Sequence, residues 1–502
     1  MVWIAMLRCA LRQFWSFKPS QSGSNKPKGT LLNRRDLMLG AGATSLAGCL
    51  DAESKATKAV NVNVVIDPHR VIRSIPADFI GLGYEISSVA KDGLLSPSNQ
   101  DYVELVRNLS SEGVIRIGGD TSDFSVWSPD GKATTQPRST VTNLSCLKSL
   151  GGFLDATGWK LIWGLNLGSN DAESAADQAV AVARAAGDRL LCFQIGNEPD
   201  LFVRNGHRSP GYSYTDYRRE FVRFVDILEK RVGNAPLAGP DVADAPDWVS
   251  SFAQDEGRRL KLLTAHYYRA GAKDPAASIS TLLNTDPRFI NLARSLFQDS
   301  RHARVPYRLV ELNSFWGGGK PGVSDSFASA LWGLDLMFLL AIAGGNGVNW
   351  ETGLNQLGFV SSYSPIFEDD EGRFSARPLY YGILAFSRAA KGDLIHVSND
   401  AGGVNFSSYA TYSGHDDLRV TLINKDLSQD VLAQLQVPEN LSSVEMSRLS
   451  APSADAVSGV TFAEPEPISR RWFGKKSNAD ILQSLEITVP SIAAVMLRFS
   501  RA

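Results

Sequence analysis

Short apolar runs alternate with longer stretches of helical period through residues 76–392. The runs are Phe79 to Leu82, Gly113 to Ile117, Leu161 to Leu165, Leu190 to Ile195, Leu237 to Gly239, Leu262 to Ala265, Tyr307 to Val310 and Gly347 to Trp350. Between them, Ala172 to Ala186, Tyr217 to Val232, Pro287 to Phe297, Ser326 to Ala343 and Pro378 to Ala390 carry apolar positions at helical spacing. Strand-like runs separated by such helices predict a (β/α)8 TIM barrel. After about Asp393 the texture changes to alternating residues with frequent turn formers, as in Leu418 to Asn424 and Leu485 to Pro490, which predicts antiparallel sheet. Val60 to Ile66 alternates in the same way ahead of the barrel. The expected architecture is therefore α/β, with a (β/α)8 barrel over 76–392 and a discontinuous all-β sandwich. That sandwich joins an N-terminal strand within 60–75 to residues 393–502, so that the ends of the mature chain meet.

Residues 1–49 have the pattern of a targeting segment and 50–59 that of a tether. Arg34-Arg35 precede a Gly/Ala-rich apolar stretch from Leu37 to Leu46, and Leu46-Ala47-Gly48-Cys49 follows. This resembles a twin-arginine signal joined to a bacterial lipoprotein box. Cleavage before Cys49 would make it the lipidated first residue of an exported periplasmic or cell-surface protein. The alternative is an uncleaved N-terminus with a chance arginine pair. No apolar run has the length of a membrane-spanning helix, so lipid is the one anchor expected.

The chain has 502 residues, 43% hydrophobic and 21% charged, enough to bury a large core in more than one structural unit. Lys and Arg total 51 against 53 Asp and Glu, a net charge of -2. That balance offers no basic excess for a phosphate backbone, and nucleic acid is excluded as an expected partner. With Cys9 in the leader and Cys49 lipidated, Cys146 and Cys192 are too few for a disulfide framework. Six His residues lack close ligand spacing, and Gly317-Gly318-Gly319 is followed by Lys320-Pro321 rather than by the Lys-Ser/Thr of a phosphate loop. No metal and no cofactor is expected.

Two carboxylates stand where an apolar strand meets solvent. Glu198 lies in Asn197-Glu198-Pro199 beyond Leu190 to Ile195, and Glu311 closes Tyr307-Arg308-Leu309-Val310. Cleaving an acetal takes a proton donor at the leaving oxygen and a carboxylate facing the anomeric carbon, so a pair of strand-end glutamates points to glycoside hydrolysis. On strands four and seven, the two are expected to face each other at roughly 5 to 5.5 Å, the spacing of a retaining enzyme. Asn197 supplies an amide for a sugar hydroxyl, or else only the chemistry of a local turn.

Gln194-Ile195-Gly196-Asn197-Glu198-Pro199 and Leu309-Val310-Glu311-Leu312-Asn313-Ser314 resemble the catalytic strands of clan A glycoside hydrolases. Val114 to Asp120, Gly239-Pro240-Asp241-Val242, His266-Tyr267-Tyr268 and the glycines after Glu311 narrow the resemblance to family 79, the β-glucuronidase and heparanase family. The resemblance implies that Glu198 is the acid/base and Glu311 the nucleophile of a two-step retaining mechanism. It further implies that Tyr267 donates to Glu311, that Asp120 and Glu85 contact ring hydroxyls, and that Trp316 occupies the position of the family's carboxylate-binding tyrosine. The amides of Gly317, Gly318 and Gly319 would complete that subsite. Loops at Phe202 to Tyr214 and Tyr363 to Arg373 are expected to wall the pocket, with Tyr363 at the sugar. Arg204, His207, Arg208 and Arg269 are too scattered for the basic cleft of an enzyme that cuts inside a sulfated polymer. The implied activity is an exo-acting β-glucuronidase on a carbohydrate substrate. Trp316 leaves open a neutral or modified sugar, and a non-catalytic carbohydrate-binding lipoprotein is the reading from another class.

Overall fold

The computed structural model describes residues 59–133, 139–414, 417–438, 441, 443–468, 473–476 and 481–500. Arg34-Arg35, Cys49 and nearly all of the expected tether lie outside the described residues. Among the described residues, no helix is long and apolar enough to cross a membrane.

The chain enters through β1 (Val60–Ser74) and then builds a closed barrel. Its strands are β2 (Ile80–Glu85), β3 (Val114–Gly118), β4 (Lys160–Leu165), β5 (Leu190–Ile195), β6 (Leu237–Val242), β7 (Leu260–Gly271), β8 (Tyr307–Trp316) and β9 (Val348–Glu351). Each is parallel to its neighbours, and β9 closes onto β2. The helices that follow them are α1 (Gln100–Leu109), α2 (Leu144–Thr157), α3 (Ala172–Ala186), α4 (Tyr214–Val232), α5 (Pro246–Glu256), α6 (Pro287–Ala303), α7 (Phe327–Ile342) and α8 (Pro378–Ala389).

Strand periodicity sorts side chains between two cores. Val114, Ile162, Cys192, Ala238, Leu262 and Val310 fill the barrel interior, while Ile115, Ile117, Leu161, Phe193 and Leu309 face the helix layer. Cys192 is thus a small apolar filler, as its place in an apolar run suggests. Deeper in the barrel, Arg308 is buried and donates to the Asn349 side chain at 2.6 Å and to the carbonyls of Asp78, Phe79 and Val348 at 3.0 Å. Burial lowers its pKa to about 10.

The second layer is an eleven-stranded sheet. Its longer members beyond β1 are β10 (Asp393–Asn399), β11 (Phe406–Tyr412), β12 (Asp417–Asn424), β13 (Val431–Pro438), β14 (Ser443–Ser450), β15 (Ile481–Val489) and β16 (Ala493–Ser500). As the alternation of Val60 to Ile66 predicts, β1 belongs to this sheet, running antiparallel to β10 and parallel to β13. Alternation again divides the side chains. Val495, Leu497 and Phe499 of β16 join Val62, Val64, Val420, Leu435 and Ile487 in a core internal to the β region, whereas Ala494 and Met496 join the barrel's core. Asp335 of α7 anchors the contact, accepting from Lys425 Nζ and from the Tyr409 hydroxyl, each at 2.6 Å.

Candidate active site

Polar residues crowd the C-terminal ends of the barrel strands, where backbone pairing continues but the side chains are no longer apolar. Glu198 follows β5 with φ 49 and ψ 54, and Asp241 in β6 has φ 64. A non-glycine residue in this left-handed region costs about 1–3 kcal/mol. The two residues brace one another, since the Glu198 N–H donates to the Asp241 carbonyl at 2.9 Å.

Arg116 of β3 organises the floor. It is 1% exposed, and it donates to Glu311 Oε2 at 2.7 Å, to Asn197 Oδ1 at 2.7 Å, to Asp241 Oδ2 at 2.8 Å and to Gln194 Oε1 at 3.3 Å. His266 of β7 lies between the acids. Its Nδ1 is 3.0 Å from Glu198 Oε1 and 3.7 Å from Glu311 Oε2. Its Nε2 is 3.0 Å from Asp241 Oδ1 but off the angle of a hydrogen bond, so that contact is ionic. Burial disfavours a charged imidazole, yet the charges of Glu311 and Asp241 outweigh it and hold His266 well above its ordinary pKa. For Asp241 burial pushes upward, but His266 and Arg116 prevail and bring it down to about 2.

Glu198 and Glu311 converge. With His266 they present side-chain ligand atoms that all lie within 4.8 Å of one another. Their surroundings differ. Burial raises Glu198 to about 8, with the charges of Asp120 and Glu311 adding to it and the His266 contact opposing it. Glu311 receives hydrogen bonds on both oxygens, from Arg116 and from the Tyr268 hydroxyl at 3.0 Å, which are the contacts of an anion. A cation among Glu198, His266 and Glu311 would have to displace Arg116 from Glu311 and His266 from its acids. The donor set fits an acid and base pair better than a metal.

The phenol beside Glu311 is Tyr268, which corrects the expectation for Tyr267. Successive residues of β7 point to opposite sides, so His266 and Tyr268 face inward and Tyr267 faces the helices. Tyr267 donates to Asp286 at 2.9 Å and packs edge-on against Phe289, ring centroids 5.0 Å apart.

The other expected contacts occupy the same mouth. Asn197 bridges Arg116 to Asp120, donating to Asp120 Oδ1 at 3.3 Å, and its N–H donates to Asp123 Oδ2 at 2.8 Å. Glu85 is buried and accepts from the Thr121 N–H at 2.8 Å, the Thr121 hydroxyl at 2.6 Å and Gln356 at 2.8 Å. Burial, then the charges of Asp120 and Glu311, raise it to about 7. Tyr363 is 2% exposed with its ring centroid 6.2 Å from that of Tyr268. Trp316 is 58% exposed at the end of β8, its indole against Gly271. Gly317, Gly318 and Gly319 all have positive φ, and the Gly319 N–H is taken by the Phe315 carbonyl at 3.0 Å. Of that subsite, Gly317 and Gly318 keep amides that bond to nothing among the described residues.

Arg116, His266, Asp241, Asp123 and Glu351 do not stand out in the sequence as side chains with a task. A charged residue inside an otherwise apolar strand marks Arg116, and the acid directly after the run Gly347 to Trp350 marks Glu351, just as Glu311 is marked.

No family model matches the chain. It is 26% identical to a β-glucuronidase of Aspergillus niger across 91% of this chain and 93% of that protein. It is 29% identical to the heparanase of Rattus norvegicus across 31% of this chain and 30% of that one. Among solved structures, a 4-O-α-L-rhamnosyl-β-D-glucuronidase from Fusarium oxysporum superposes with a TM-score of 0.68 at 17% identity, covering 87% of this chain and 100% of the other. With these relatives and this barrel, the resemblance to family 79 stands, and the chain is a glycoside hydrolase.

Proposed function

We propose that the protein is a retaining exo-β-glycosidase, a β-glucuronidase that removes terminal β-linked glucuronic acid. The observation that carries the reading is the close approach of Glu198 and Glu311 in unlike environments. Carboxyls this near suit the short separation of a retaining pair better than the wider gap in which an inverting pair holds its water. Glu311 attacks the anomeric carbon as Glu198 gives its proton to the glycosidic oxygen, and the aglycone leaves as an alcohol. In the second step Glu198, now ionised, takes a proton from water, whose oxygen displaces Glu311 from the sugar with a second inversion. Attack at an oxocarbenium-like centre is helped by Arg116 and His266, whose fixed charges keep the acids placed without reorganisation.

Exo action is supported by what the basic residues do. Arg208 is spent on Glu220 and on backbone carbonyls, and Arg269 on Asp286 and the Thr281 carbonyl, so neither lines an open cleft. The uronic acid assignment is supported by the relatives' names and by the unbonded amides of Gly317 and Gly318, which suit a carboxylate. A neutral or modified sugar is the second reading, favoured by the exposed Trp316 indole, which has one donor and no acceptor. Export and lipid attachment at Cys49 belong to the same proposal and rest on Arg34-Arg35 and Leu46-Ala47-Gly48-Cys49.

A panel of aryl β-glycosides tests the sugar. Turnover of the glucuronide with retained configuration is expected, turnover of a neutral glycoside alone moves the assignment to the second reading, and silence across the panel points to longer chains as the substrate. Glu311→Gln is expected to abolish turnover. Fatty acid incorporation is expected to disappear in Cys49→Ala, and unchanged labelling defeats the anchor.

A further inference from the structure

The barrel mouth holds a buried glutamate for which the two-acid reaction has no use. Glu351 ends β9, is 1% exposed, and is set by strand register opposite Gly83. Gly83 makes room for it, because a Cβ there would stand 2.8 Å from Glu351 Oε2. Oε1 accepts the Gly353 N–H at 3.1 Å, whereas Oε2 has no hydrogen-bond partner among the described residues. No cation among the described residues bonds to it, since Arg116 gives its N–H groups to Glu311, Asn197, Asp241 and Gln194.

The ionisable groups around Glu351 come from every wall. They are Tyr84 and Glu85 on β2, Arg116 on β3, Tyr268 on β7, Glu311 on β8, and Tyr363 from the loop beyond β9. Tyr102 of α1 stands behind Tyr84, hydroxyl to hydroxyl at 2.6 Å. Arg116 is the cation of this group and already serves two acids. A buried carboxylate with one backbone donor and no bonded cation is costly, by several kcal/mol. Burial, with the charges of Glu311 and Glu85 adding to it, keeps the Glu351 carboxyl well above the ordinary range.

We propose that Glu351 is a positioning residue that works as a neutral acid: by keeping its proton beside Glu311, Glu85 and Arg116, it leaves the guanidinium charge to Glu311 and Asp241 and so holds Glu311 as an attacking anion. The proposal rests on the retaining reading of Glu311. An ionised Glu351 would share Arg116 and add a negative charge to a dry pocket, weakening the hold of the guanidinium on Glu311. Glu351 neither gives nor takes a proton during turnover, so both displacement steps balance without it.

Glu351→Gln keeps the shape and fixes the neutral state. Its kcat/KM at neutral pH is expected to stay within about threefold of the parent enzyme. On an aryl glycoside whose leaving group departs without a proton, Glu198 drops out of the profile, and the alkaline limb of E351Q is expected about one pH unit above that of the parent. The infrared difference between parent and E351Q is expected to show the carbonyl band of a neutral carboxylic acid at neutral pH. An unshifted limb, a lost carboxylate band in place of the acid band, or a hundredfold loss of activity with native thermal stability overturns the proposal. Should E351Q not fold, Glu351→Met, which is also uncharged, serves in the same measurements. The infrared band reports on Glu351 even if every glycoside in the panel is refused, so a failure here is distinguishable from a failure of the retaining reading.

Discussion

Tyr268→Phe removes a hydrogen-bond donor from Glu311 Oε1, whereas Tyr267→Phe removes one from Asp286 outside the mouth. A hydrogen bond to a charged group is worth about 1.5–3 kcal/mol, so Tyr268→Phe is expected to lower kcat/KM roughly ten- to a hundredfold. Tyr267→Phe is expected to leave it unchanged and to lower Tm slightly, and steady-state kinetics with thermal melts on both variants checks the pair. With Glu198 at about 8, hydrolysis of substrates with poor leaving groups is expected to fall as pH rises through about 8. Stability follows from the same shifts. Glu198 and Glu85 bind protons more tightly when folded than when unfolded, so Tm is expected to decline as pH rises from about 5 to about 8. Asp241 has the opposite sign. Its contribution, about 2 kcal/mol, is complete above its unfolded value near 3.8 and is lost as pH falls through about 2. Glu198 and Glu311 were legible as acids at the ends of apolar runs. The inward tyrosine was not, because both neighbours are aromatic and β7 is covered on both sides, so hydrophobicity does not distinguish its faces.

The barrel strands were legible because each carries an apolar stretch, but several run further than that stretch shows. β7 continues to Gly271 and β8 to Trp316 through polar positions, since ladder pairing between them persists to Trp316 and Gly271 after the interior turns from packing to chemistry. That extension delivers His266, Tyr268 and Glu311 into one ring of side chains. The turn after β3 serves the same end. Gly119 has φ 73, and a Cβ there would lie 2.3 Å from Glu85 Cδ. Gly119→Ala therefore combines a left-handed backbone penalty of about 1–2 kcal/mol with displacement of Glu85. The expected result is a lower Tm together with a raised KM, measurable on one preparation. Chemistry assembled from several strand ends leaves weak marks in sequence, because Arg116 and Asp241 acquire partners only through closure of the barrel.

α7 is buried on nearly every side, unlike an ordinary outer helix of a barrel, because the β region covers its outward face. Phe338 stacks on Tyr409 with centroids 4.5 Å apart, and Lys425 reaches Asp335 beneath. Lys425→Met strands Asp335 without its cation and is expected to cost about 3–5 kcal/mol, read by denaturant unfolding. A barrel fragment ending at residue 392 uncovers this surface and is expected to be insoluble. The apolar run of Phe327 to Ile342 was legible as a helix, but its cover was not, since the covering residues arrive much later in the chain. The placement of β1 between β10 and β13 has a consequence for biosynthesis. β1 is made long before its two partners and waits with both edges bare until residues 393–438 emerge from the ribosome, so a holding chaperone has its natural target there until those strands arrive.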